Sequence, residues 1–183
     1  MGGDKAKDKI PVIENLSDKT DYLLLAGIIA NTFLKAKGED INSSMVADEM
    51  LDTGKKFLEK YKEKIILSEN GVFGDLNGKQ TILDIGKKDI EVFDKYIKKA
   101  KTIFWNGNLG MTEKPEFSNG SKQIAKKIVS SDAFTVAGGG DTAAFINSIG
   151  LANKFSFLSL GGGATLQFLA GKKLPGLETL EHK

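Results

Sequence analysis

Cysteine is absent from this 183-residue sequence, and so is arginine: all 26 basic residues are lysine. Without cysteine there is no disulfide, zinc–thiolate site or thiol nucleophile. Without arginine, any bidentate guanidinium clamp on a carboxylate or phosphate must come from another chain. The single histidine, His182, stands beside the C-terminus, which excludes a histidine-centred triad and a His-rich metal site. Proline is used at Pro11, Pro115 and Pro175 only, never inside a candidate strand. The longest apolar run, Tyr22–Ala30, is about half the ~20 residues of a membrane span, and Met1-Gly2-Gly3-Asp4-Lys5 has no apolar signal region. Neither membrane insertion nor export is expected, and the cytoplasm is the expected location. The 26 basic and 24 acidic residues are interspersed at a net charge of +2, so a nucleic-acid-binding arm is not expected either.

What the chain does contain is a rhythm of short apolar runs and amphipathic stretches, the pattern of a parallel sheet wrapped in helices. Strands are expected at Tyr22–Leu25, Ile65–Leu67, Ile82–Ile85, Thr102–Trp105, Phe134–Ala137 and Phe155–Leu158. Each is apolar on both parities, which suits strands covered on both faces. Helical spacing predicts helices over Ala47–Lys64, Lys87–Ala100 and Asn119–Val129, with shorter ones over Asp141–Ile149 and Ala164–Leu169. Ser68–Gln80, rich in Gly, Asn and Asp, reads as an exposed loop. The expected fold class is α/β: a three-layer, doubly wound, Rossmann-like parallel sheet forming a single lobe and one domain over residues 1–183.

Glycine supplies 21 of the 183 residues, and the excess is clustered. Gly138-Gly139-Gly140-Asp141-Thr142 follows one candidate strand and opens a helix, and Gly161-Gly162-Gly163-Ala164 does the same after another. Bare backbone at a helix N-terminus lets free N–H groups meet an anion, Asp141 can cap the helix or hold a magnesium ion carried on phosphates, and Thr142 offers a hydroxyl. Tight turns with an ordinary aspartate cap are the alternative. Successive parallel strands end on one edge, so both runs are expected to face one crevice and hold a polyphosphate or a phosphoryl group in transit. Trp105-Asn106-Gly107-Asn108-Leu109-Gly110 would open on the same edge, with Glu113 just beyond, and Gly2-Gly3-Asp4-Lys5 with Lys9 would place two ammonium groups on one helical face. Neither a Walker loop nor a dinucleotide fingerprint is present.

In this order and spacing, the segments GGDKAKDKI, IENLSDKTDYLLLAG, NTFLKAKG, LDIGKK, TIFWNGNLGMTE, VAGGGDTAAF and FLSLGGGATLQFLAGKKLPGLETL resemble the C-terminal, nucleotide-binding lobe of phosphoglycerate kinase nearly end to end. That resemblance implies phosphoryl transfer between 1,3-bisphosphoglycerate and Mg-ADP, giving 3-phosphoglycerate and ATP, with Mg2+ and ADP or ATP as the ligands. It implies that the nucleotide phosphates meet Lys9, Asn106 and the Gly138, Gly139, Gly140, Asp141, Thr142 run, with Asp141 on magnesium. Glu113 would hold the ribose, and Gly86 and Met45 would sit near the adenine. Lys5 would stabilise the moving phosphoryl group, between the junctions carrying Gly140 and Gly163.

Departures from the family pattern stand at Ala26 and Ile28, where it has glycines, at Asn108 and Met111, at Leu160, and in the short Ser68–Gln80 segment. The family's arginine-bearing N-terminal lobe, which binds 3-phosphoglycerate, has no counterpart here. Met1 falls where the strand leading into the Gly-Gly-x-Lys turn is expected, so a second polypeptide, either a separate N-lobe or another protein, is expected at the sheet edges this leaves open. Two functional expectations follow: a nucleotide lobe that turns over slowly or not at all alone, or a degenerate, non-catalytic relative serving as a binding or assembly module.

Overall fold

The computed structural model describes residues 1–181; His182 lies outside the described residues. The chain runs α1 (Ala6–Ser17), β1 (Leu23–Leu25), α2 (Gly27–Lys37), α3 (Leu51–Tyr61), β2 (Ile65–Leu67), β3 (Gly71–Leu76), β4 (Lys79–Ile85), α4 (Lys87–Ile97), β5 (Thr102–Asn106), α5 (Asn119–Val129), β6 (Phe134–Gly138), α6 (Gly140–Ser148), β7 (Phe157–Ser159), α7 (Gly163–Leu169) and α8 (Pro175–Glu181), with single turns of 3-10 helix at Asp48–Met50, Pro115–Phe117 and Ala152–Lys154.

The ladders β1–β2 and β5–β6–β7 are parallel. Apolar side chains of both parities on these short strands are used, because helices cover both faces. Leu23 and Leu25 enter a core with Ile10, Ile13, Ile29, Phe33 and Phe57, from α1, α2 and α3. Leu24, between them, packs instead with Ile66 against a second core built on Phe93, Trp105, Ile124 and Ile146. The expected α/β, Rossmann-like layering is thus the one observed.

Between β1 and β5 runs the start of the chain. The Met1 α-amino group donates to the Leu24 carbonyl, Ala26 N–H donates to the Met1 carbonyl at 2.9 Å, and Gly2 N–H donates to the Asn106 carbonyl at 2.9 Å. Met1 and Gly2 therefore hold a strand position between the two parallel ladders, where the sequence places the end of a central strand.

Three expectations are corrected. Ser68–Gln80 is not an open loop but most of a hairpin: β3 pairs antiparallel with β4 around Asn77-Gly78, both at positive φ (56° and 76°). An Asn-Gly pair at positive φ is a hairpin signal, but a register shift between Val72 and Phe73 breaks the alternation that would have exposed it in the sequence. Consequently Ile82–Ile85 lies in an antiparallel strand rather than a parallel one. The last expected strand also begins later, at Phe157, because Ala152–Lys154 takes a helical turn. Helices α1 and α2 are additions to the expected set: α1 contains Pro11, which forfeits one backbone bond, and α2 continues the apolar run begun in β1.

Candidate functional site

The carboxyl ends of β1, β5, β6 and β7 open on one edge, as parallel strands must, and the turns leaving them wall a cavity of about 720 Å³. Both glycine junctions reach it: Gly139, Gly140, Asp141 and Thr142 from the start of α6, and Gly162 and Gly163 from the start of α7. Lys5 and Lys9 line it as well; Lys5 is the N-cap residue of α1 and Lys9 stands one turn inside. Asn106 and Glu113 complete the expected set that meets there. Gly138 does not line the cavity, since its carbonyl accepts from Asn106 Nδ2 at 2.6 Å and the residue is buried at the strand end. Gly86 is also elsewhere. It does not line the cavity; its N–H donates to the Asn70 carbonyl at 2.7 Å and a Cβ there would collide with that oxygen, so closeness to the β2–β3 connection by itself requires a glycine.

Lys9 is the unusual cation. It is 5% exposed, and it has no hydrogen bond or ion pair among the described residues. Burial holds its ammonium below the ordinary lysine range; Asp4 and Asp8 oppose that, Lys5 reinforces it and Asp141 opposes it. The Met1 α-amino group nearby is pushed down to about 5, by burial first and by the Lys9 charge second. A desolvated ammonium at Lys9, with no counter-charge beyond exposed aspartates, makes a place where an anion is favoured.

Asp141 is exposed, and it makes no hydrogen bond among the described residues; Gly139, at φ 108°, is the N-cap of α6. Its carboxylate is therefore free for a ligand rather than used as a cap. Among the described residues no group of three or more potential ligating side chains is gathered, so a single carboxylate suits a hard cation that arrives with its other ligands, as magnesium on phosphates does.

Asn106 is partly engaged within the fold. Its Nδ2 is committed to the Gly138 carbonyl, and its Oδ1 is buried without a partner. The second N–H of that amide and its Oδ1 both remain without a partner among the described residues in this arrangement. Thr142 is buried, and its Oγ1 accepts from Gly107 N–H at 2.8 Å while its own proton stays available. These bonds fasten the 106–113 turn to α6; Leu109 N–H to Ser121 Oγ at 2.8 Å and Met111 N–H to the Leu83 carbonyl at 2.7 Å fasten it to α5 and β4.

The departures at Ala26 and Ile28 are unequal. Ala26 is extended and wholly buried, so its methyl group is accommodated. The retained Gly27 is the position that needs glycine, at φ 62° with a Cβ direction only 3.1 Å from Gly3 N and O. Ile28 adds its side chain to the cavity wall.

Asp84 is a wall residue not singled out from the sequence. It is 3% exposed, accepting from Gly120 N–H at 2.7 Å and Ile85 N–H at 2.9 Å, and a Cβ on Gly110 or Gly120 would strike its carboxylate. Burial pushes its pKa up to about 6, against the opposing bonds from Gly120 and Ile85. An acid raised in the folded state is unpenalised below the unfolded value of 3.8 and destabilises increasingly as pH rises to about 6. Asp84→Asn removes that dependence. The difference in Tm between Asp84→Asn and the parent should therefore grow by a few degrees from pH 4 to pH 6.5 and then level off; a flat difference across that window would remove Asp84 as its source.

Comparison with known proteins follows this geometry closely. A family model described as phosphoglycerate kinase matches residues 1–172. The chain is 42% identical to the phosphoglycerate kinase of Fusobacterium nucleatum and 43% identical to that of Mycoplasmoides gallisepticum, in each case over all of this chain and 50% of the relative. The solved structure of phosphoglycerate kinase from Coxiella burnetii superposes with a TM-score of 0.94 at 36% identity, over 100% of this chain and 51% of that one. The enzyme from Pyrococcus horikoshii gives 0.87 at 30%, over 98% and 50%. The chain spans about half the length of the relatives it matches.

Proposed function

Since this chain belongs to the phosphoglycerate kinase family, we propose that its cavity is the site of Mg-ADP and Mg-ATP in phosphoryl transfer with 1,3-bisphosphoglycerate. The observation carrying this reading is the meeting of two glycine junctions, at the starts of α6 and α7, with the poorly compensated Lys9 across a single cavity. Phosphoryl transfer needs positioned donors and neutralised charge more than reactive side chains. A site built from backbone amides, two lysines and one free carboxylate is suited to that.

In this reading Lys9 and the N–H groups of Gly139, Gly140, Asp141 and Thr142 hold the nucleotide phosphates, and Glu113 accepts from the ribose hydroxyls. Lys5 neutralises the phosphoryl group as it passes between the Gly140 and Gly163 junctions. Asp141 would hold a magnesium ion carried on the phosphates, which when bound would supply charge neutralisation. The second substrate carries anionic groups that the family binds through arginines, and this chain has none. An arginine-bearing lobe, in the same or another polypeptide, completes the site and excludes water on closure, so turnover by residues 1–183 alone is expected to be very slow. The backbone edges of β1 and β5 flanking Met1 are the proposed seat of such a neighbour.

Calorimetric titration with Mg-ADP tests the reading. Binding should be measurable, and Asp141→Asn should weaken Mg-ADP about tenfold while leaving metal-free ADP nearly unchanged. Absence of heat and of thermal stabilisation at millimolar nucleotide would overturn it. The exposed side chains of Leu160 (78% exposed), Phe168 and Leu180 favour a second reading, a non-catalytic assembly module. It predicts a stable protein partner and no response to nucleotide.

A further inference from the structure

The segment opening α7 gives Gly162, Gly163 and Leu166 to the cavity wall, yet among the described residues none of those in α7 is buried. A short helix that hides so little of itself must be held by other contacts. It packs on α1, the helix that carries Lys9 and is entered at Lys5. The spacing of α1 and α7 therefore decides how far the Gly163 wall stands from the two lysines.

The far end of α7 closes on its own carbonyls, all but one. Gly171, at φ 73°, donates its N–H to the Phe168 carbonyl at 2.9 Å, and Lys172 N–H donates to the Gln167 carbonyl at 2.9 Å, the pairing by which a left-handed glycine ends a helix. The next carbonyl, of Leu169, is met from outside: Asn15 Nδ2, on α1, donates to it at 2.8 Å. The amide is oriented from both sides, because the carbonyl can only accept and Lys19 Nζ, 2.6 Å from Asn15 Oδ1, can only donate. That ammonium also polarises the amide and strengthens its N–H as a donor. Gly171 permits the approach, since a Cβ there would lie 3.2 Å from Asn15 Oδ1. Asn15 itself does not line the cavity, and it stands ~15 Å along the helix axis from Lys5.

We infer that Asn15 is a positioning residue: its bond to the end of α7 fixes the spacing of α1 and α7 and so holds the Gly163 wall at the distance from Lys5 that a transferring phosphoryl group needs. This rests on the nucleotide reading above and adds to it the tie that aligns two walls of the site. Only ATP carries the group that lies between Lys5 and Gly163 in that reading. ADP, held at Lys9 and the start of α6, is indifferent to where α7 stands. A wall displaced by a fraction of an ångström therefore acts on one nucleotide and spares the other.

The test is calorimetry with Mg-ADP and Mg-ATP on the unaltered chain, on Asn15→Leu and on Asn15→Asp. The aspartate keeps the shape of the side chain and its Lys19 partner but has no N–H to give, and its charge lies beyond the ~8–10 Å screening length from Lys5. Both variants should bind Mg-ADP within about twofold of the unaltered chain and Mg-ATP about tenfold more weakly. A merely structural part for Asn15 would lower both affinities alike or neither, and either result would overturn the inference while leaving the nucleotide site standing. So would a loss of Mg-ATP binding in one variant that the other, when folded, does not share. Failure of both nucleotides to bind the unaltered chain would sink this inference and the nucleotide reading together. Should Asn15→Leu fold poorly, the isosteric Asn15→Asp decides the matter alone.

Discussion

Gly107→Ala is expected to destabilise the protein by about 3 kcal/mol or more, lowering Tm by roughly 6–12 °C for a chain of this size. Gly107 has φ 82°, where a side chain is strained, and its Cβ would collide with the Gly2 carbonyl oxygen and lie 3.1 Å from Gly3 N. Both obstacles are backbone, which cannot rotate aside. On the other side of the seam a Cβ on Gly2 would run into the Asn108 carbonyl, so neither strand of the contact can retreat. The collision falls where the start of the chain bridges β1 and β5, and a shift there also pulls Gly107 N–H from Thr142 Oγ1 and disturbs the anion-facing turn. Gly150→Ala separates the two causes: Gly150 has φ 69° but nothing within 4 Å of a Cβ, so it should cost only the conformational ~1–2 kcal/mol. Chemical denaturation of the two variants measures the difference. Equal losses would mean that the Gly2–Gly107 approach relaxes freely.

Lys9→Met is expected to raise stability by about 1 kcal/mol and to weaken Mg-ADP binding by about 100-fold. Opposite signs follow from the proposal that Lys9 serves a ligand rather than the fold. The chain keeps its ammonium desolvated, depressed below the usual lysine range, and beside a second buried amine. An apolar side chain of similar length removes that penalty, and the lost charge-assisted bonds to phosphate appear only when nucleotide is added. Thermal unfolding without ligand and calorimetry with it read the two effects independently. A variant less stable than the parent would show that Lys9 supports the fold, and undiminished affinity would remove it from the phosphate contacts.

Much of the site's inventory was legible because it depends on local chemistry. Glycine runs after apolar strands, an acid in the first turn of α6, and lysines four apart at the start of α1 are recognisable by type and spacing alone. Asn106 and Gly86 show where such reading stops. Each stands in a segment that matches the family pattern, and neither the bond from Asn106 Nδ2 to the Gly138 carbonyl nor that from Gly86 N–H to the Asn70 carbonyl is announced there. The partner that decides each case lies 32 residues away for Asn106, a separation that no window of sequence spans. Asp84 was passed over for the same reason, since an aspartate in a strand gains meaning only from what surrounds it.

By itself the sequence determined the composition of the chemistry: no thiol, no guanidinium, two glycine-lined strand-to-helix junctions, and strands apolar on both parities that must be covered on both sides. Tertiary structure alone decided which glycine cannot be replaced, that Lys9 is left with only weak compensation, and that the segment after β2 folds back as a hairpin. The division has one physical origin. Spacing and side-chain type act along the chain, whereas desolvation, collision and hydrogen-bond pairing depend on groups brought together across the fold.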